Sequence, residues 1–348
     1  MKTSFFINRE SYVRQLVKLA AFTLLATPAF AQTYTVTDLG TFGPNSNGNY
    51  SVAFCINSSG QVAGESSAPS SQRSDPAFLY SNGQLVNIGT LGGDVGQPRG
   101  INTSGQIAGY STLRSGSYHA FLYTSGQMTD IGTLGADYAV AYGLNDAGQV
   151  VGNSAHPGGQ DHAFLYSNGV MTDLGTLGGD TSNAYGINNL GVIAGYSYNS
   201  AGDFLGFIYQ NGTMTPLGTL GGSWSIAYAI NDHNQIAGQA YTRGNRAAHA
   251  FRLTDGQMVD LGSLGGSGSW GLAINNSGTV VGFATTRVNE YHAFVSTNGA
   301  RMQDLNRLIP PNTRWVLGEA HGINDVGQIA GYGTIRGRTH AFLLTPVQ

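Results

Sequence analysis

The sequence predicts an all-β fold: a seven-bladed β-propeller with four antiparallel strands per blade and an N-terminal strand that closes the last blade. Three observations lead to this prediction: one passage recurs seven times, its copies follow one another every 43 to 49 residues, and each holds four short apolar runs. Units this short cannot bury a core alone and must stack on their neighbours, and their length is typical of a propeller blade. An Ile/Leu-Asn pair marks the units at Asn57, Asn102, Asn145, Asn188, Asn231, Asn275 and Asn324.

Residues 139–175 illustrate one unit. The turns Asn145–Gly148 and Ser167–Gly169 have the Asn and Gly content typical of hairpins, and Gly175–Gly179 links the unit to the next. The first strand is rich in Ala and Gly, which suits the crowded innermost position beside a central channel. The four strands are predicted at Ala139–Leu144, Gln149–Asn153, His162–Tyr166 and Val170–Leu174.

The repeat begins and ends in the middle of a unit. Thr33–Gly40 matches only a fourth strand, whereas the last unit, Ala320–Leu344, supplies strands one to three. We therefore expect the N-terminal strand to complete the last blade, which would remove the exposed sheet edges. Residues 32–348 are predicted to form this single domain.

Residues 1–31 have the pattern of a cleaved secretion signal. Four basic residues precede a short apolar run, Leu19–Ala26, and a small-x-small site at Ala29–Ala31. The run is far shorter than the roughly 20 residues that cross a bilayer, so we expect no membrane span in the mature chain. The protein is predicted to be secreted or periplasmic, with a mature chain that starts near Gln32.

Composition excludes some classes of partner. Beyond residue 31 the chain has 12 Arg, no Lys and 18 acidic residues, so a nucleic-acid partner, which needs clustered positive charge, is not expected. Cys55 is the only cysteine, so no internal disulfide is possible. We expect a monomer.

Three motifs recur in fixed order: Gly-Ile-Asn-x-x-Gly-Gln, His-Ala-Phe and Asp-Leu-Gly-Thr-Leu-Gly-Gly. Pro76 and Leu205 replace the histidine in two units. The other five begin their third strands with His119, His162, His249, His292 and His340. Together these motifs resemble the HAF-repeat family of extracellular bacterial proteins, over essentially the whole chain beyond the signal. The resemblance implies export and a repeated β-structure, but no particular activity.

The recurring histidines and asparagines have structural explanations. One histidine per unit spreads the five around a ring, whereas metal ligands must converge on one ion. We expect each to bond the fourth-strand aspartate, namely Asp130, Asp173, Asp260 or Asp304, and each turn asparagine to cap the backbone that follows it. No metal site and no cofactor are predicted.

Candidate binding residues lie where the repeat varies. In a propeller, the loops joining strand four to strand one and strand two to strand three share one rim. Aromatic and Arg side chains on such a rim suit recognition of carbohydrate or protein. The alternative is that each aromatic residue fills a gap between blades. The predicted ligand-binding residues are Trp224, Trp270, Trp315, Tyr138, Arg114 and Arg243.

The predicted function is an exported, non-catalytic binding or scaffolding module whose partner is a glycan or an envelope or extracellular protein. Gly-x-Ser-x-Gly, His-Glu-x-x-His and lysine-dependent signatures are missing beyond residue 31. The main alternative is an extracellular polysaccharide hydrolase or lyase that uses rim carboxylates, and a structural matrix protein is a third. The candidate acids are Glu65, Asp161, Asp203, Glu290 and Glu319.

Overall fold

Short β-strands are the main elements of the part of the chain that the structure describes. The computed structural model describes residues 32–43, 49–68 and 74–347. Among these described residues, 61% lie in strands and 2% in helices, so the predicted all-β class is confirmed. Residues 1–31 lie outside the described ranges, and the signal sequence stays a prediction. No helix in the described ranges has the length and apolar character needed to cross a membrane.

The first half of the chain contains thirteen strands. The N-terminal strand, β1, is Tyr34–Asp38. The next four are β2 (Ser51–Ile56), β3 (Val62–Ser66), β4 (Ala77–Ser81) and β5 (Gln84–Gly89). They are followed by β6 (Gly92–Ile101), β7 (Ile107–Leu113), β8 (Tyr118–Thr124) and β9 (Gln127–Asp130). Then come β10 (Ala139–Leu144), β11 (Val150–Ala155), β12 (Asp161–Ser167) and β13 (Val170–Asp173).

The second half repeats the same order. It begins with β14 (Gly178–Ile187), β15 (Ile193–Asn199), β16 (Phe204–Gln210) and β17 (Thr213–Pro216). Next are β18 (Gly221–Ile230), β19 (Ile236–Thr242), β20 (Ala248–Thr254) and β21 (Gln257–Asp260). They precede β22 (Gly265–Ile274), β23 (Val280–Thr286), β24 (Tyr291–Ser296) and β25 (Gln303–Asp304). The last are β26 (Trp315–Ile323), β27 (Ile329–Ile335) and β28 (Arg338–Pro346), and two 3-10 turns lie at Arg243–Asn245 and Leu305–Arg307.

These strands form five four-stranded sheets and one eight-stranded sheet within the described residues. Each four-stranded set is antiparallel. The eight-stranded sheet consists of β18–β21 and β22–β25, joined through one parallel bridge between Ala248 and Gly268. The strand predictions for residues 139–175 match β10–β13 to within two residues at every boundary.

The sheets are arranged in a closed ring. The first strand of each set, β2, β6, β10, β14, β18 or β22, contacts the first strand of the next, and β26 contacts β2. As predicted, β1 pairs antiparallel with β28, from Tyr34 opposite Pro346 to Asp38 opposite Phe342. The fold is a β-propeller with six or more blades.

The phenylalanine of the His-Ala-Phe motif forms the repeated core. It is fully buried in every unit: Phe78, Phe121, Phe164, Phe207, Phe251, Phe294 and Phe342. The ring of Phe164 packs against Gly152 in β11, where an added Cβ would overlap the Val140 carbonyl oxygen. The glycine therefore allows the aromatic ring and the innermost strand to approach each other closely.

The turn asparagines cap their turns as predicted, and they also join the units to one another. The Asn145 side-chain oxygen accepts hydrogen bonds from the amides of Ala147 (3.1 Å) and Gln149 (3.0 Å). Its side-chain nitrogen donates to the carbonyl oxygen of Asn188 in the next unit, at 3.1 Å. The same inter-unit bond recurs from Asn57 through Asn275, and Asn324 closes the circle on Asn57 at 3.0 Å. We call these seven residues the asparagine ring.

The predicted histidine–aspartate pairs are confirmed. The ring nitrogen Nδ1 lies 2.8–2.9 Å from a carboxylate oxygen in the pairs His119–Asp130, His162–Asp173, His249–Asp260 and His292–Asp304. A fifth pair, His340–Asp38 at 2.8 Å, joins β28 to β1. These pairs brace the third strand against the fourth, and the fifth fastens the closure of the ring.

The links between units differ from the prediction. Gly175–Gly179 was expected to be a connection only, but β14 begins inside it at Gly178. The paired residues jump from Gly178–Asn199 to Ser182–Ser197, so this end of the strand is irregular. The innermost strands therefore extend further toward the rim than their Ala- and Gly-rich segments indicate.

Replacing Asn145 with Ala should lower the free energy of unfolding by about 2–4 kcal/mol, because two capped amides and one inter-unit carbonyl lose their partner. Chemical denaturation measures this change. Asn168→Gly is the matched control, since Asn168 is an exposed turn residue with φ +52°. It should change stability by less than about 0.5 kcal/mol, and equal effects of the two variants would contradict the role of the asparagine ring.

The Asp260–His249 pair predicts a pH dependence. Burial alone would raise the pKa of Asp260, but hydrogen bonds from His249 and Gly262 and the His249 charge hold it below 3.8. A depressed folded-state pKa gives stability above pH 4 that is lost as the pH falls through the folded value. Asp260→Asn should therefore destabilise the protein more at pH 7 than at pH 2.5, as measured by urea unfolding. The control is Val259→Thr, at an exposed neighbouring residue, which should change the free energy of unfolding equally at both pH values. An effect of Asp260→Asn that does not depend on pH would contradict this role of the pair.

Candidate functional site

Every first strand contains a β-bulge close to its turn asparagine. In β10, Ala141 pairs with Gly152 and Gly143 with Val151, which leaves Tyr142 as the extra residue. A bulge redirects the side chain at the point where it interrupts the ladder. The extra residues line the centre of the propeller, and we call them the channel ring: Phe54, Arg99, Tyr142, Tyr185, Tyr228, Leu272 and His321.

The channel ring lines a cavity of about 190 Å³. Drug-sized ligands occupy pockets of roughly 300–1,000 Å³, so this cavity suits a smaller molecule. The asparagine ring lies at the other mouth of the channel, since each first strand runs from the rim toward its turn asparagine. The cavity is thus formed by the innermost strands, below the variable loops of the rim.

Arg99 is the only guanidinium in the channel ring. It lies 4.3 Å above the centre of the Phe54 ring, a cation–π contact, and donates a hydrogen bond to the Gln97 side-chain oxygen. Gln97 in turn donates to a Glu65 carboxylate oxygen at 2.6 Å. Burial raises the pKa of Glu65, although the Gln97 hydrogen bond and the Arg99 charge oppose this effect.

Three tyrosines, from the three units that follow the Arg99 unit, form the next arc of the channel ring. The ring centres of Tyr142 and Tyr185 are 4.9 Å apart, and those of Tyr185 and Tyr228 are 5.2 Å apart. Burial is the main cause that raises the pKa of Tyr142 to about 12, and it also raises the pKa values of Tyr185 and Tyr228. The phenols are therefore neutral at neutral pH, and their hydroxyl groups can donate hydrogen bonds.

A second polar cluster adjoins the channel ring at His321. The His321 Nε2 atom lies 3.0 Å from a Glu319 carboxylate oxygen, and the His321 ring stacks on Tyr332 at 5.6 Å. Burial alone would raise the pKa of Glu319, but hydrogen bonds from His321 and Tyr332 and the His321 charge hold it below its ordinary value. This carboxylate is therefore ionised at neutral pH.

Some buried polar atoms around the channel lack a hydrogen-bond partner in the described part of the chain. They include Nε of Arg99 and the side-chain oxygens of Asn153 and Asn183. Asn153 and Asn183 are 3% and 6% exposed. Native structures contain few such atoms, and they often belong to functional sites.

Trp224 is half-buried at the start of β18 and joins a series of aromatic contacts. Its ring centre is 4.6 Å from that of Tyr241 and 5.9 Å from that of Phe204 in the preceding unit. Phe204 also contacts Tyr196 at 4.3 Å, and Tyr196 contacts Tyr185 at 5.9 Å. We call Tyr185, Tyr196, Phe204, Trp224 and Tyr241 the aromatic track, because they connect the channel ring to the rim.

Trp270 lies in β22, one unit further along. It stacks on Phe283 with ring centres 4.5 Å apart and an angle of 12° between the planes. Tyr291 packs edge-on against both rings and is 53% exposed. This second aromatic group is partly accessible, but no ring contact joins it to the aromatic track in the described residues.

Trp315 does not belong to an accessible surface. It is 8% exposed, lies 6.0 Å edge-on from Phe342, and belongs to a core cluster with Leu305 and Leu308. Its predicted role as a ligand-binding residue is corrected here: it fills the space between two sheets. The three tryptophans stand at different distances from their turn asparagines. Their side chains therefore do not occupy equivalent positions and are not equally exposed.

The remaining predicted residues are distributed along the rim. Tyr138 is half-buried and precedes β10, where its carbonyl oxygen accepts hydrogen bonds from Ala155 and Ser154. Arg114 and Arg243 are exposed. Of the six predicted residues, only Trp224 and Arg243 belong to the same strand set, β18–β21.

Sequence reasoning missed the channel ring. The available signal was variation within a constant context: the third residue before each turn asparagine changes type, whereas the Ile/Leu-Asn pair does not. No characteristic residue pattern marks the bulge that turns this residue inward. Within the described residues, no group of three or more His, Cys, Asp and Glu side chains could hold a metal ion.

Comparison with known structures gives the fold. The β-propeller domain of the trilobed protease from Pyrococcus furiosus matches over 86% of this chain and 98% of that domain, at 9% identity and a TM-score of 0.59. A puromycin-hydrolysing peptidase from Mycobacterium tuberculosis matches over 82% of this chain, at 12% identity and a TM-score of 0.57. A prolyl endopeptidase matches over 91%, at 10% identity and a TM-score of 0.55.

This chain covers 49% and 50% of the two peptidases. No family model matches the chain, and no curated protein does. At identities near 10%, the likeness to the three structures shows the β-propeller fold alone.

The burial of the tryptophans predicts different costs of truncation. Trp315→Ala should destabilise the protein by about 3–5 kcal/mol, because it leaves a cavity in a packed core. Trp224→Ala should cost clearly less, since Trp224 is only half-buried. Thermal unfolding of both variants measures this difference, and equal shifts of the melting temperature would contradict the assignment.

Proposed function

We propose that the protein is an exported, non-catalytic β-propeller of seven blades that binds carbohydrate on the rim formed by the four-to-one and two-to-three loops. Seven first strands in a closed ring and seven turn asparagines support the blade count. Residues 1–31 support export to the periplasm or the outside, and the recurring motifs support membership of the HAF-repeat family. The chain acts as a monomer, because the N-terminal strand completes the last blade within one molecule.

The aromatic side chains of the rim are the observation that carries this function. Trp224 and Tyr241 are half-buried in contact with each other, and Tyr198 beside Phe204 is 39% exposed. Aromatic rings offer a flat apolar face, and tyrosine adds a polar edge. Sugars have the complementary form, with an apolar face of C–H groups and a polar edge of hydroxyl groups. Carbohydrate is therefore favoured over a protein partner.

A rigid frame with variable loops supports a binding role. The histidine–aspartate pairs and the asparagine ring hold the same positions from unit to unit, whereas the two-to-three loops differ in length and sequence. Recognition residues are commonly placed on loops that a rigid scaffold positions. Arg114, Arg243 and the exposed aromatic residues lie on these loops or at their bases.

A polysaccharide hydrolase or lyase is the second candidate, and two carboxylates favour it. The pKa of Glu65 is raised and that of Glu319 is lowered, and both belong to polar networks beside the channel ring. Carboxyl groups with opposite shifts are the usual acid and base partners of glycosidases. Of the other candidate acids, Asp161 bonds Asn153 and Asp203 bonds Asn199, which gives them structural roles.

Affinity electrophoresis in gels that contain polysaccharides tests the proposal. The wild-type protein should be retarded by at least one neutral or acidic polysaccharide, and Trp224→Ala should weaken retention about tenfold, equivalent to roughly 1.4 kcal/mol. Leu190→Ala is the control, because Leu190 is 65% exposed in a turn at the opposite mouth.

Two outcomes would contradict this function. Unchanged retention of a stably folded Trp224→Ala variant would exclude the rim as the binding surface. Release of reducing or unsaturated sugar ends by the wild type, abolished in Glu319→Gln, would establish the enzyme alternative instead.

A further inference from the structure

Arg99 carries a positive charge that the protein does not neutralise by an ion pair. In the described part of the chain, all side-chain ion pairs within 4.0 Å involve histidine, and none involves Arg99. Its nearest acidic network, at Glu65, is reached only through Gln97. A partly buried charge without a direct ion-pair partner is costly, so an anion that enters the channel would be favoured.

The channel ring accepts a small ligand with an oxygen-rich edge. Tyr142, Tyr185 and Tyr228 line the same cavity as Arg99, from the three units that follow the Arg99 unit, and their phenol groups are neutral. The volume of about 190 Å³ admits a single sugar ring but not a chain lying flat. A guanidinium also matches a carboxylate in shape, since its planar donors bind both oxygens.

We propose that the channel ring binds a carboxylate-bearing sugar ring, a uronic acid at the end of a glycan chain, with its carboxylate on the Arg99 guanidinium. This inference rests on the proposed glycan binding at the rim and adds the class of sugar that is recognised. The aromatic track supports it, because Trp224, Phe204, Tyr196 and Tyr185 connect the two locations by ring contacts of 4.3–5.9 Å.

The charges of the channel favour a single negative charge. Arg99 is the only arginine that lines the cavity, and His321, which also lines it, is bonded to the Glu319 carboxylate. A dianion such as phosphate would leave its second charge unmatched. A neutral sugar would leave the guanidinium without a counter-ion.

Isothermal titration of the mature protein with D-glucuronate, D-glucose and inorganic phosphate tests the inference. The wild type should bind glucuronate at least tenfold more tightly than either of the other two. Arg99→Gln should lower the affinity for glucuronate at least tenfold and remove the preference over glucose. Arg301→Gln, at an exposed arginine between β24 and β25 that belongs neither to the channel ring nor to the predicted binding residues, should keep both.

A second variant tests the inference in case Arg99→Gln does not fold. Tyr185→Phe keeps the aromatic ring and removes only the hydroxyl group, so the fold should persist, as checked by its melting temperature. It should weaken glucuronate binding about threefold to tenfold, since one neutral hydrogen bond is lost. Full glucuronate affinity in a folded Arg99→Gln or Tyr185→Phe variant would overturn the inference.

The outcomes separate this inference from the proposed function. Polysaccharide retention that depends on Trp224, without any preference for glucuronate, would leave rim binding intact and overturn the uronate site. Glucuronate binding that depends on Arg99, without retention on any polysaccharide, would support the channel site and reject the rim function. Tighter binding of phosphate than of glucuronate would also overturn the inference, because it would indicate a general anion site.

Discussion

The closed circle of asparagine hydrogen bonds is the constraint on which the rest of the structure depends. Each side-chain nitrogen donates to a main-chain carbonyl of the next unit, and the last donates to the first. No unit has a core of its own, so each is stable only at a fixed distance and angle from its neighbours. The circle sets that distance where the innermost strands converge, and the buried phenylalanines fill the space behind it. Any change of spacing in one unit is therefore transmitted to all of them.

The candidate site follows from the same convergence. The innermost strands are crowded, and a bulge interrupts the hydrogen-bond ladder of each one. The bulge turns one side chain toward the axis. Such a residue faces a cavity rather than a packed neighbour, so its type is free of the packing requirement that fixes Phe164 or Gly152. Arginine, histidine, tyrosine and leucine therefore occupy equivalent places. In this protein, the freedom to vary lies at the axis as well as in the outer loops.

Much of the fold could be predicted from sequence, because it is encoded by local rules that repeat. The strands of residues 139–175, the Asn-Gly hairpin turns, the histidine–aspartate pairs and the pairing of β1 with β28 all follow from periodicity and turn chemistry. Three features could not be predicted, because they depend on contacts between units. They are the inter-unit bonds of the asparagine ring, the bulges that create the channel ring, and the burial of Trp315. The tryptophans are expected in the links before the first strands, but Trp224 and Trp270 lie inside β18 and β22 and Trp315 begins β26.

The pairing of β1 with β28 has a consequence for biogenesis. The first strand to leave the ribosome finds its partner only after nearly the whole polypeptide has been made, since Thr35 and Thr345 are 310 residues apart. Contacts that distant in sequence form slowly. Until β1 pairs with β28, the ring is open and the edges of two strands are unpaired. The pairing of β1 with β28 also places both ends of the described chain in a single sheet. Mechanical force applied to either end is therefore borne by this strand pair.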